Sequence, residues 1–93
     1  MFNKVFVNLT ADTITNSFTV PRDGRIDLRF SGDVGSATVL LIAEHPSYGE
    51  SIVDLELTNT LQAFPVNLFH DETFKFQVTG SDANTSLTLF YSY

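Results

Sequence analysis

Cysteine and tryptophan are absent from this 93-residue chain, methionine occurs once, and only 17% of residues are charged. Without cysteine there is no disulfide scaffold, no zinc finger and no thiol nucleophile. Basic residues are scarce as well: five Lys and Arg stand against eleven Asp and Glu, a net charge of −6. That balance argues against nucleic acid or an anionic membrane as the main partner. The longest apolar run, Ala37 to Ala43, is about one strand long and far short of the ~20 residues that span a bilayer. Met1 to Leu9 is too short, and too often interrupted by polar residues, to be the apolar region of a signal peptide. The expectation is a soluble product of the cytoplasm. A length of 93 residues leaves room for one domain, 1–93, that buries roughly two-thirds of its unfolded surface.

What is present has a period close to two, the spacing of half-buried strands. Val5, Val7 and Leu9 alternate with Phe6 and Asn8, and Ile26, Leu28 and Phe30 with Arg25, Asp27 and Arg29. Val53, Leu55 and Leu57 alternate with Asp54 and Glu56, Phe64, Val66 and Leu68 with Pro65 and Asn67, and Phe74, Phe76 and Val78 with Lys75 and Gln77. Leu87, Leu89 and Tyr91 alternate with Thr88, Phe90 and Ser92; a looser pattern runs from Ile14 to Val20, and Ala37 to Ala43 is apolar on both faces. That apolar segment reads as a strand covered on both sides. Eight candidate strands result, separated by turn-forming stretches such as Pro21-Arg22-Asp23-Gly24 and Gly80-Ser81-Asp82-Ala83-Asn84. Eleven threonines and nine phenylalanines agree with strands. The predicted fold is all-β: a single antiparallel β-sandwich or jelly-roll-like domain of about eight short strands. Pro65 cannot donate to a ladder, which places Ala63 to Phe69 at an edge or a bulge.

Chemical constellations are sparse. His45 and His70 lie 25 residues apart in turns, and joining them with Glu44, Asp71 or Glu72 into a metal site is not forced by any spacing. Ser47 or Ser81 with a histidine and an aspartate makes a triad on paper only, since no Gly-x-Ser-x-Gly elbow exists. Asp54 and Glu56 read first as a solvated strand face. Asp12, Asp23, Asp33 and Asp82 have the oxygen ligands that Ca²⁺ takes. They also suit their turns as caps of backbone amides, and no Asp-x-Asp-x-Asp-Gly run occurs. No enzyme and no cofactor is expected, Ca²⁺ being the one ion that the loops could take. Arg22, Arg25 and Arg29, set against Asp23 and Asp27, form a mixed solvated face rather than a phosphate groove. Tyr48, beside Pro46 and Gly49, is the candidate sugar platform, weighed against simple packing over its loop.

The stretch Phe18-Thr19-Val20-Pro21-Arg22-Asp23-Gly24 into Arg25–Gly32, then Gly35-Ser36-Ala37-Thr38-Val39, Phe76-Gln77-Val78-Thr79-Gly80 and Ser86-Leu87-Thr88-Leu89, resembles small all-β bacteriophage virion proteins. The likeness covers about three-quarters of the chain. It departs at His45-Pro46-Ser47-Tyr48-Gly49, where that family often has an Asp-Gly-Gly-type turn, and in the unusually apolar first strand. The resemblance implies a non-enzymatic virion protein of the capsid-decorating, cementing or tail-accessory type. It also implies a homo-oligomer, a trimer foremost, bound to the major capsid protein or another virion protein. Independently, the first and last strands are apolar on both faces and call for cover, by the sandwich itself, by closure into a barrel or, most economically, by a neighbouring subunit. Phe2, Phe6, Phe90, Tyr91 and Tyr93 are therefore the expected interface residues. The alternative is a carbohydrate-binding or receptor-binding module centred on Tyr48, as on a tail fibre; a third reading, an accessory domain of a secreted protease, predicts a fragment of a longer chain.

Overall fold

A computed structural model describes residues 2–19, 24–58, 61–69 and 72–92. Among the described residues nine strands form, all paired antiparallel: β1 (Asn3–Leu9), β2 (Thr13–Ile14), β3 (Phe18–Thr19), β4 (Arg25–Asp33), β5 (Thr38–His45), β6 (Gly49–Asp54), β7 (Gln62–Asn67), β8 (Thr73–Thr79) and β9 (Ser86–Ser92). One sheet has the order β1-β9-β4-β7, the other β2-β8-β5-β6, with β3 also on β8. The expected all-β sandwich is what forms. β2 and β3 are two halves of the expected Ile14–Val20 strand. Counted as one, they give sheets ordered 1-8-3-6 and 2-7-4-5.

Alternation does the work that the sequence pattern announces. Ile26, Leu28 and Phe30 of β4, with Leu87, Leu89 and Tyr91 of β9, point inward from one sheet. Val39, Leu41 and Ala43 of β5, with Phe74, Phe76 and Val78 of β8, meet them from the other. Nearly all of these side chains are almost wholly buried, each such burial stabilising the fold by roughly 1.5–3 kcal/mol. Pro65 lies in β7, at the edge of its sheet, as its missing N–H requires.

Three segments depart from their sequence pattern, each for a local reason. In β1 the register shifts twice, between Lys4 and Phe6 and between Phe6 and Leu9. Because a one-residue slip exchanges the faces, Phe6 becomes the buried residue while Val7 is left 46% exposed. The Val53–Leu57 strand is displaced upstream, to Gly49–Asp54. Asp54 Oδ1 accepts the Glu56 amide at 2.9 Å, Glu56 takes φ = 50°, and Leu55 and Leu57 drop into the core from the connection. β5 is central in its sheet, but only its inner side meets a second layer; outer-face Leu40 and Ile42 are flanked by Asp54, Ile52, Gln77 and Lys75 of neighbouring strands.

Between β2 and β3 the ladder is carried by a side chain. The Phe76 amide donates to Thr15 Oγ1 at 3.0 Å, and the Thr15 amide donates to the Phe76 carbonyl at 2.9 Å. Replacing Thr15 by isosteric Val leaves the Phe76 amide without its acceptor and should cost about 1–2 kcal/mol in denaturant unfolding. Gly32 has φ = 121°, and a Cβ there would overlap the backbone carbonyl of Ser86 on the paired strand. Neither atom can yield without breaking the ladder. Gly32→Ala should therefore cost at least about 3 kcal/mol, a large share of the stability of so small a protein, read as a marked fall in melting temperature.

Candidate binding surfaces

The turn aspartates and hydroxyls gather at one end of the sandwich. Asp12 accepts the Ser81 amide at 2.9 Å and the Ser81 hydroxyl. Asp33 accepts the Gly35 amide at 3.0 Å, and Asp82 accepts the Asn84 amide at 2.9 Å. Thr85, 3% exposed, accepts the Asp82 amide at 3.0 Å and reaches the Val34 carbonyl at 3.1 Å. These carboxylates hold turns together, the capping role open to them in sequence; Asp23 lies outside the described residues. Among the described residues no group of three or more His, Asp or Glu could hold a metal ion.

Histidine and serine chemistry is dispersed. Thr38 pairs with Thr79 at one end of β5, and His45 pairs with Gly49 at the other. Ser81 and His45 are thus separated by the length of β5, about 23 Å at the strand rise. His45 Nδ1 accepts the Ser47 amide at 3.0 Å. Glu72, buried, accepts the Phe69 amide at 2.6 Å and closes the turn into β8. His70 and Asp71, two of the residues that a histidine–carboxylate metal site would draw on, lie outside the described residues.

The β5–β6 hairpin carries an aromatic group that the sequence only half announces. His45 stacks on Tyr48 with ring centroids 4.7 Å apart and 27° between planes. Phe69, from the end of β7, stands 5.8 Å from His45 and 5.6 Å from Tyr48. Tyr48 is 73% exposed and Phe69 60%, so neither ring is packed away beneath a loop. Beside them opens a cleft of about 510 Å³, lined by Ser51, Val53, Val66, Leu68 and Glu72 among others. The signal for Phe69 was parity: it falls on the face opposite Phe64 and Val66, with no polar residue after Leu68 to mark the change.

The expected interface residues divide. Phe6 and Tyr91 lie in the core, 8% and 9% exposed. Phe6 is turned inward by the β1 bulge, Tyr91 by its parity with Leu87 and Leu89 on a strand enclosed between β1 and β4. Phe2 and Phe90 remain on the outer face of the first sheet, while Tyr93 lies outside the described residues. Phe90 pairs laterally with Lys4 on one side and Arg29 on the other. The Arg29 guanidinium sits 5.0 Å from the centre of the Phe2 ring. A hollow of about 280 Å³ beside this row is lined by Arg29, Ser31, Leu61, Ala63 and Phe90. Arg25, 3.5 Å from Asp27, extends the row.

The outer face of the second sheet has the opposite sign. Ile42 and Ile52 form its apolar centre, with Glu44, Glu50 and Asp54 around them in register. Among the described residues its cation is Lys75, 3.9 Å from Glu44.

Compared with known proteins, the chain matches no family model, no curated protein and no solved structure.

Two turn carboxylates carry a pH signature. The Ser81 hydroxyl and amide hold Asp12 below the ordinary 3.8, and the Asn84 amide, aided by Ser36 and Thr85, does the same for Asp82. A carboxyl lowered by folding stabilises the native state above its unfolded value and loses that contribution as pH falls through the folded one. Both contributions should be intact from pH 7 to 5 and disappear below 3.8. In urea titrations at stepped pH, the Asp12→Asn/Asp82→Asn double variant should show a shallower loss of stability below that value than the parent.

Proposed function

We propose that this chain is a non-enzymatic structural protein of a virion, a capsid-decorating or cementing component that works through preformed surfaces. The observation that carries this reading is the outward-facing row of Phe2, Arg29 and half-buried Phe90 with its adjoining hollow, an aromatic and cationic patch of the kind enriched at protein interfaces. The side chains that could carry chemistry are instead engaged in turns. Support also comes from the strand order, with β2 and β3 counted as one: 1-8-3-6 against 2-7-4-5 is that of a jelly roll, an architecture used by capsid and lectin domains. Fold analogy of this sort weighs less than the patch. The resemblance in the Gly-x-Ala-Thr-Val and Val-Thr-Gly segments points the same way.

The test is composition of the particle. Gradient-purified virions of the source virus should contain the chain at a fixed ratio to the shell protein. Shells stripped of it should rebind the purified chain, and Arg29→Glu/Phe90→Ser should weaken rebinding at least tenfold. Absence of the chain from washed particles overturns the reading.

Tyr48 favours a second reading, a carbohydrate-binding surface. Its exposed ring, backed by His45 and flanked by Phe69, offers an apolar plane on which the CH face of a pyranose can lie. On an array of neutral oligosaccharides the chain should then retain a defined subset, and Tyr48→Ala should abolish retention without changing the melting temperature. Equal retention by parent and variant removes this reading.

A further inference from the structure

The two outer faces of the sandwich are complementary in charge and similar in apolar content. On the first face lie Lys4, Arg25 and Arg29 against Asp27 and, at the far end of its strand, Asp33, a balance of three positive to two negative. Their apolar companions are Phe2, 48% exposed, Leu61, 85% exposed, and half-buried Phe90. Across the second lie Glu44, Glu50 and Asp54 against Lys75, three negative to one positive. There the exposed apolar residues are Ile52, 58% exposed beside Ile42, and Ile14 of the edge strand β2, 60% exposed. In a chain with only five basic residues, three of them share one face.

We infer that this chain binds a second copy of itself head to tail, the Lys4–Phe90–Arg29 face of one copy lying on the Glu50–Ile52–Asp54 face of the next. The occupant follows from the signs. Two basic faces repel each other, as do two acidic ones, so a symmetric pairing of either face with itself is disfavoured and only the mixed contact is attractive. The two largest extents of the molecule are 39 and 26 Å, broad enough for the roughly 800 Å² per partner that a stable contact uses. Each copy has one face of each kind, so the contact repeats. It closes into a ring if the rotation between copies allows, and otherwise extends as a filament. The edges of the sheets are poorer candidates for assembly. β7 carries Pro65, β1 is bulged, β2 and β3 have two residues each, and β6 sets two carboxylates along its length. This inference draws on the same Arg29–Phe90 face as the virion reading, and the acidic face separates the two: Glu50→Lys/Asp54→Lys should break self-association and leave that shell-binding patch intact.

Light scattering after gel filtration tests it with two charge-reversed variants. Lys4→Glu/Arg29→Glu loses the basic face and keeps the acidic one; Glu50→Lys/Asp54→Lys does the reverse. All four positions are exposed, and circular dichroism checks that both variants fold. The parent should run as an assembly that dissociates at about 0.5 M salt, where charges more than a few ångströms apart are screened. Each variant alone should run as a 10.3 kDa monomer. Mixed in equal amounts, they should associate again, because the native basic face of one meets the native acidic face of the other and the two reversed faces are also opposite in sign. The smallest expected product is a species near twice the chain mass. A parent that stays monomeric up to about 1 mM, near the weakest affinity of interest, overturns the inference. So does assembly that survives in either variant, which would place the contact elsewhere, or a mixture that remains monomeric.

Discussion

The junction where Phe18, Phe74 and Tyr91 meet is the contact on which the rest of the sandwich depends. Phe74 of β8 and Tyr91 of β9 cross edge to face at 5.5 Å, and Phe18 of β3 lies 5.4 Å from the first ring and 5.1 Å from the second. Edge-to-face rings prefer this geometry by about 0.5–1.5 kcal/mol beyond the area they bury. Here they also tie the last strand of one sheet to the short edge strand and the central strand of the other. With a period of two, seating Tyr91 inward obliges Leu89 and Leu87 to follow and turns Phe90 outward. Seating Phe74 inward does the same for Phe76 and Val78 and sends Lys75 to the surface.

The division of charge between the faces is a consequence of that parity. Arg25, Asp27 and Arg29 are outward because Ile26, Leu28 and Phe30 are inward; Glu44 is outward because Ala43 is not. A chain of net charge −6 thereby presents one surface on which cations prevail. Net charge alone would have hidden that surface, since it averages over a molecule whose two layers face opposite directions. The exposed Tyr48 and Phe69 lie off both faces, at the hairpin end, and are independent of the arrangement.

The turns are held by short polar side chains rather than by length. Asp12, Asp33, Asp82 and Thr85 close the loops at one end, and Glu72 closes the turn at the other. Such residues compete well for nearby backbone amides, which is why aspartates that could serve as cation ligands are occupied as caps. Gly32 is a further constraint, since its positive φ brings β4 against the backbone of β9 too closely for any side chain.

Period-two alternation made the class of fold, most strand positions and the edge location of Pro65 legible in the residues themselves, because side chains on a strand must alternate and proline cannot donate. It could not reveal where alternation is interrupted. The bulges that turn Phe6 inward and the Thr15 hydroxyl that carries the ladder across a gap arise from contacts with distant strands, and the left-handed Glu56 beyond β6 is held by the bond from its amide to Asp54. For the same reason Phe6 was expected at an interface and is core, whereas Tyr91, also expected there, is core by the unbroken parity it shares with Leu87 and Leu89; Phe69 looked unremarkable and stands beside Tyr48. Local pattern determined which residues are available to a face. Which face each strand contributes to, and which charges become neighbours there, was decided only by the strand order, since residues 4, 29 and 90 come together through pairings that no local spacing encodes.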